Sequence, residues 1–133
     1  MRKLRSVTIN ALSGSPEYEE YYRAAEMCLD LKSATNLIAN RLTTEVLELP
    51  IQPFDAHNPE PKALSKSRIP VEGYVDIHWR LDGSTDRTIL GPTRFFVSST
   101  SEPEYDLVMG KQDCIRFGLV KPSNRWSLRN KKD

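Results

Sequence analysis

The first third of the chain contains two stretches with strand-like patterns. In RSVTINALSG, the apolar residues Val7, Ile9 and Ala11 fall on one side of a period-2 pattern. This alternation predicts a half-buried strand that ends at a glycine turn. The next stretch, PEYEEYYRAAEMCLDL, fits either a helix or a long strand that becomes buried towards its end, because its periodicity favours neither. We favour a strand that begins after Tyr22.

A helical spacing follows in NLIANRLTTEVLEL. Here Ile38, Leu42 and Val46 recur at i, i+4 and i+8, which predicts a short helix with one apolar stripe. Thr35 and Asn36 are both candidates for its N-cap. Prolines then interrupt the pattern, and the segment DAHNPEPKALSKSR is polar and rich in Pro and Lys, which predicts a mobile loop. Loops of this length in small domains commonly act as lids or binding elements.

The second half of the chain is rich in strand patterns. In RIPVEGYVDIHWRLDG, apolar residues alternate with polar ones, which predicts a strand with one buried face. Its apolar positions are Val75, Ile77, Trp79 and Leu81. Asp82 and Gly83 form a turn signal between this strand and GPTRFFVSST, which predicts a hairpin. In the returning strand, Phe95 and Val97 point the same way.

The last third of the chain predicts a compact closing unit and a tail. In EYDLVMGKQDCIRFGLV we expect a short buried strand from Leu107 to Met109, a glycine turn at Gly110, and a helical turn that carries Ile115 and Phe117. The basic, polar end of the chain, residues 121–133, predicts a flexible tail. The pattern of elements is mainly β, with one or two short helices.

Length and composition indicate one domain without a general charge bias. The 133 residues carry a formal net charge of +1, so overall charge makes no case for nucleic acid or a membrane as partner. Cys28 and Cys114 form no CxxC pair, and we expect both to be small core residues. We expect no metal site, because His57 and His78 are isolated, and no cofactor.

The chain also lacks the sequence signals of secretion and membrane insertion. It contains no Asn-x-Ser/Thr acceptor, and the basic MRKLR is followed by an alternating, soon polar stretch rather than an apolar block. No segment approaches the roughly 20 apolar residues of a membrane span. We therefore expect an intracellular protein, cytoplasmic or nuclear, with reduced cysteines.

Three blocks, in order, resemble the retropepsin-like aspartic protease domains of retroelement or fungal type. CLDLKSATNLI resembles the family's active-site turn, and VEGYVDIHWRLDG with TRFFVSS resembles the strands after the flap. YDLVMGKQDCIRFGL resembles the closing strand and its short helix. The resemblance implies a mainly β acid-protease fold over residues 1–120, a small partly closed barrel with one or two short helices, and a flap at about residues 55–73.

The resemblance also implies a reaction and a partner. In that family, two close carboxylates share a proton and activate a water that attacks a peptide carbonyl. One chain supplies one catalytic aspartate, which here corresponds to Asp30, so peptide hydrolysis would need a homodimer and a polypeptide substrate. Asp82 is better explained by its hairpin turn, and Asp113 as a structural hydrogen-bonding or helix-start residue.

The active-site turn departs from the family pattern after its aspartate. Leu31 stands where the family has Thr or Ser, whose hydroxyl braces the dimer, and Lys32 stands where the family has Gly. Ser33 and Ala34 suit the small residues that follow. We therefore expect a degenerate aspartic endopeptidase, or else a non-catalytic dimerisation or peptide-binding module. A third alternative is an unrelated small β protein that binds partners through its strand edges.

Overall fold

The structure is a computed structural model and is mainly β. It describes residues 2–11, 22–65, 69–83, 88–99 and 105–120. The strands are β1 (Arg2–Asn10), β2 (Tyr22–Asp30), β3 (Leu37–Ala39), β4 (Val71–Leu81), β5 (Leu90–Ser98) and β6 (Leu107–Gly110). The helices are short: α1 (Lys62–Ser65), α2 (Lys111–Arg116) and a π-helical turn (Leu42–Val46).

The six strands form a closed barrel in the order β1-β2-β6-β3-β5-β4. Hairpin-type antiparallel pairs join β1 to β2 and β4 to β5, whereas β2–β6 and β3–β5 are parallel. Residues Val7–Ile9 of β1 pair with β4 and complete the ring. The expected barrel is therefore present, and it is closed rather than partly closed.

The barrel interior contains the apolar positions that the alternating patterns predicted. Buried side chains from every strand form one cluster, which includes Val7, Ile9, Met27, Leu29, Ile38, Val75, Ile77, Trp79, Phe95, Val97, Leu107 and Met109. The predicted strand after Tyr22 is β2, and the predicted hairpin is the β4–β5 pair. Burial of this inner face is the main stabilising contribution of the fold, at roughly 25 cal/mol per Å² of apolar surface.

The predicted helix over the segment after the Asp30 turn is wrong in its first part. Ile38 belongs to β3, which pairs with β5 on one side and β6 on the other. Helical geometry begins only after Ala39, and Leu42 is buried in the short π-helical turn. The i, i+4 spacing is present in the sequence. Residues 37–39 nevertheless form a strand, because pairing with β5 and β6 satisfies their backbone hydrogen bonds on both sides, and this outweighs the local helical preference.

A second, smaller apolar cluster lies under α1. Leu64 of α1 packs with Cys28, Leu37 and Val108, and partly buried residues, including Ile69 and Tyr105, surround them. Residues 62–65 of the predicted mobile loop and flap therefore form a helical turn that packs on the barrel. The last three residues of the predicted flap, 71–73, belong to β4. Residues 66–68 lie outside the described residues, so the structure does not test the loop there.

The closing block differs from the prediction at one residue. Gly110 has extended backbone angles and is the last residue of β6, which runs directly into α2 without a glycine turn. Ile115 lies on α2, as expected, and Phe117 caps its end. The predicted tail, residues 121–133, lies outside the described residues. Within the described ranges, no helix has the length and apolar character needed to cross a membrane.

One buried hydrogen bond gives a test of the barrel interior. The indole Nε1 of Trp79 donates to Thr93 Oγ1 at 2.9 Å, and both residues are fully buried. Thr93→Val keeps the volume but leaves the indole N–H without an acceptor, so we expect a loss of about 1–3 kcal/mol in the free energy of unfolding.

The control is the same substitution in a Trp79→Phe background, where no donor is left unpaired. There Thr93→Val should change stability much less, and urea unfolding of the four proteins gives the coupling. An equal loss in both backgrounds would contradict the assigned hydrogen bond.

Candidate functional site at the Asp30 turn

Asp30 lies at the end of a strand whose preceding residues, 27–29, are buried. It is the last residue of β2, and in the parallel β2–β6 pairing it lies opposite Gly110. The backbone N–H of Lys32 donates to Asp30 Oδ1 at 2.9 Å, and the N–H of Ser33 donates to the Asp30 carbonyl at 3.1 Å. An aspartate that bonds the amide two residues on stabilises a tight turn. The carboxylate is therefore fixed by its own backbone.

The far side of the turn is joined to the start of α2. The N–H of Lys111 donates to the carbonyl of Ser33 at 3.0 Å, and the hydroxyl of Ser33 donates to the carbonyl of Thr35 at 2.7 Å. A side chain at position 110 would place its Cβ only 2.8 Å from the carbonyl oxygens of Ser33 and Thr35. Gly110 is therefore required by close approach, because real Cβ atoms do not come this near.

Asn36 connects the turn to three other elements. Its Nδ2 donates to the carbonyl of Arg94 at 3.0 Å and to Asp113 Oδ2 at 2.6 Å, and its Oδ1 accepts the N–H of Gly110 at 2.8 Å. The residue is 7% exposed. Asn36 is thus a cross-link between β5, β6 and α2, and its predicted role as a helix cap is wrong. The predicted structural role of Asp113 is confirmed.

The five residues predicted for the active-site turn lie together, but their side chains differ in environment. Leu31 is partly buried and packs against the barrel core, whereas Lys32 and Ala34 are exposed. The hydroxyl of Ser33 donates its hydrogen bond to a backbone carbonyl of the same turn, that of Thr35. Leu31, the residue directly after the aspartate, contributes no hydroxyl, and its side chain is used for packing.

Both cysteines are buried, as predicted, and Cys114 lies beneath the turn. Its thiol is 3.4 Å from the carbonyl oxygen of Met109. Burial raises the pKa of Cys114 from 9.0 to about 11, and the nearby carboxylates of Asp113 and Asp30 act in the same direction. A raised thiol pKa keeps the neutral form at physiological pH. Cys114 is therefore an uncharged core residue rather than a nucleophile.

An open depression lies beside the turn, with a volume of about 470 Å³. Its walls are Leu31, Lys32, Ser33, Ala34, Lys111, Gln112 and Ile115. The first four were predicted as site residues. The three residues of α2 were not, because only the β2–β6 pairing and the Lys111–Ser33 hydrogen bond bring that helix next to the turn.

Within the described part of the chain, Asp30 is the carboxylate that the turn itself holds. Asp113 is engaged by Asn36 and lies 3.9 Å from an Arg116 nitrogen. Asp82 lies at the far end of β4, in the turn that the sequence predicted. Among the residues that the structure describes, no three His, Cys, Asp or Glu side chains are grouped to hold a metal. Chemistry that needs two carboxylates would require a second copy of Asp30.

Comparison with known proteins does not place the chain in a family. No protein-family model matches it, and no curated protein is significantly similar to it. The retropepsin-like identity therefore stays a prediction that rests on the three sequence blocks. The closed barrel and the geometry of the Asp30 turn are the observations from which function can be argued.

The Asn36 cross-link predicts a pH-dependent defect. Asn36→Asp keeps the shape but places a carboxylate against Asp113 Oδ2 and the carbonyl oxygen of Arg94. The neighbouring charge raises the pKa of the introduced carboxyl in the folded state above its unfolded value of about 4. The charge-dependent loss of stability is therefore absent below about pH 4 and develops as the pH rises through the folded-state pKa.

Urea unfolding measures this defect. We expect the variant to lose about 2–4 kcal/mol of unfolding free energy near neutral pH and clearly less near pH 4, where the protonated carboxyl can donate one of the two bonds that Asn36 Nδ2 donates. Asn36→Ala is the control, because it removes the same bonds without adding a charge. A loss in Asn36→Asp that does not depend on pH, or that equals the loss in Asn36→Ala at every pH, would contradict the argument.

Proposed function

We propose that this chain is a retropepsin-like, aspartic-endopeptidase-type domain with a degenerate active site. In this proposal two chains pair as a homodimer with their Asp30 turns facing each other, and an extended polypeptide binds between them. Peptide hydrolysis is weak or lost, because the turn has departed from the family pattern at Leu31 and Lys32. The proposal requires no metal or cofactor.

The observation that carries the proposal is the preorganised Asp30 carboxylate. It stands at the end of β2, whose preceding residues are buried, and accepts the N–H of Lys32 at 2.9 Å. On its other side, the turn is fixed by the hydrogen bond from the N–H of Lys111 to the Ser33 carbonyl. The buried Asn36, just after the turn, accepts the N–H of Gly110 and adds a second link. Catalytic groups need such support, since their geometry must be set before the substrate binds.

The chemistry follows from a facing pair of such carboxylates. Two close carboxyl groups retain one proton between them. The ionised carboxylate takes a proton from a water molecule while the water oxygen bonds to the peptide carbonyl carbon. At the same time the protonated carboxyl group donates its proton to the carbonyl oxygen. Return of a proton to the amide nitrogen then allows the carbon–nitrogen bond to break. Asp30 from each chain would fill these two roles.

Two features of the turn favour a second candidate, a non-catalytic peptide-binding or dimerisation module. Leu31 packs against the core and offers no hydroxyl to brace a facing chain. Lys32 places a long, exposed side chain directly after Asp30, at the position where the family pattern has a glycine. Both features weaken catalysis, and neither removes the surface on which a polypeptide would bind.

Repair of the turn tests the proposal. Leu31→Thr with Lys32→Gly restores the family residues around Asp30, so we expect cleavage of an unstructured protein such as casein at acid pH, at least tenfold faster than by the unaltered chain. Adding Asp30→Asn should abolish that activity, because it removes the proton-sharing pair. Sedimentation across protein concentration measures whether each variant forms the homodimer.

The two candidates give different results in these assays. Dimerisation of the unaltered chain with Asp30-dependent cleavage, however slow, supports the endopeptidase. A dimer that binds polypeptide and gains no cleavage on repair supports the non-catalytic module. A strict monomer at every concentration rejects the proposed aspartic catalysis by this chain alone, because one chain supplies only one Asp30 carboxylate.

A further inference from the structure

The depression beside the Asp30 turn has an apolar floor with a lysine at two of its sides. Leu31 and Ile115, both partly buried, supply the apolar surface. Lys32 and Lys111 are exposed on the turn and at the start of α2. The N–H of Lys111 donates to Ser33, one residue after Lys32, so these two positions are neighbours in space.

The two lysines are not neutralised by the described part of the chain. Neither ammonium forms an ion pair with any residue that the structure describes. Asp30 and Asp113, each two residues from one of these lysines in the sequence, are not among the residues that line the depression. The Asp30 carboxylate accepts a hydrogen bond from the backbone N–H of Lys32, and the Asp113 carboxylate accepts one from Asn36 Nδ2. The wall therefore presents positive charge around an apolar surface.

This combination selects among possible occupants. An exposed cation pair is complementary to carboxylates, and an apolar floor is complementary to an aliphatic side chain. Recognition of single-stranded nucleic acid usually adds aromatic side chains on which bases stack, and none of the lining residues that the structure describes is aromatic. An extended peptide places every second side chain on the same side, about 6.6 Å apart along the chain. It can therefore present an apolar residue to the depression with an acidic residue on the same side, two positions before or after it.

We propose that the polypeptide bound beside the Asp30 turn is acidic, with an aliphatic side chain in the depression and carboxylates against Lys32 and Lys111. This inference rests on the proposed function, since it names the ligand class of that site. It assigns Lys32, which replaces the glycine of the family pattern, to ligand selection.

Binding of three labelled peptides to the full chain tests this inference by fluorescence anisotropy. The peptides share a central Leu and carry Glu, Gln or Lys at the positions two residues before and two residues after it, on the same side of the extended chain. At about 50 mM salt we expect the Glu peptide to bind about five- to tenfold more tightly than the Gln peptide, and the Lys peptide most weakly. The preference for Glu should fall below about twofold at 0.5 M salt, because exposed ion pairs are screened.

A matched pair of variants locates the preference. Lys32→Glu should remove most of the preference for the Glu peptide. Arg23→Glu makes the same charge change on an exposed residue at the opposite end of β2, and it should leave the preference intact. Urea unfolding verifies that both variants are folded, and the peptide series tests the inference in the unaltered chain regardless of either variant.

The outcomes separate this inference from the proposed function. Equal affinity for the Glu and Gln peptides, or equal effects of Lys32→Glu and Arg23→Glu, would overturn the acidic preference and leave polypeptide binding in place. Displacement of the Glu peptide by an oligonucleotide of matched charge at equal concentration would also overturn it, in favour of a nucleic-acid ligand. If none of the three peptides binds, both proposals fail.

Discussion

The fold depends on the insertion of β6 between β2 and β3. Through this placement the barrel closes, because β6 pairs in parallel with β2 and antiparallel with β3. The insertion brings the carbonyl of Arg94, the amide of Gly110 and the carboxylate of Asp113 together next to the Asp30 turn. Buried polar groups without partners are costly, so the space between these groups requires a side chain with both donors and an acceptor. Asn36 supplies them to β5, β6 and α2 at once.

This constraint explains why the Asp30 turn is well defined although its sequence is unusual. Its shape is set by the backbone bonds of Ser33 and Lys111, by the close approach at Gly110 and by the Asn36 amide. None of these contacts involves the side chains of Leu31 or Lys32. The turn can therefore change its chemistry at those two positions while the carboxylate stays in place, which separates the support of the site from its catalytic competence.

The parts of the fold that were predictable from sequence are those with repeated local signals. The alternation at Val75, Ile77 and Trp79 identifies a strand, because a half-buried strand imposes period 2 over many residues. β3 has only three residues, too few to show that period, and the spacing of Ile38 and Leu42 points to a helix. Strand insertion between β5 and β6 is a long-range property, so the local pattern could not reveal it.

The site shows the same division between local and long-range information. The five consecutive turn residues lie together because they are neighbours in the chain, and the carboxylate–amide bond of Asp30 is a local turn property. The capping preference of Asn36 and its actual cross-linking role use the same amide chemistry, so residue type alone could not distinguish them. The positions of Lys111 and Ile115 in the wall of the depression could not be predicted, because they depend on the packing of α2 beside the turn.

The position of β6 in the chain has a consequence for the order in which the site forms. β6 starts at Leu107, whereas the strands it joins end at Asp30 and Ala39. During synthesis both of those strands precede their common partner by a long stretch of chain, and unpaired strand edges are prone to wrong association. The Asp30 turn acquires its long-range supports, the hydrogen bond from Lys111 and the close approach of Gly110, only when this strand pairs, so a late part of the chain completes the site.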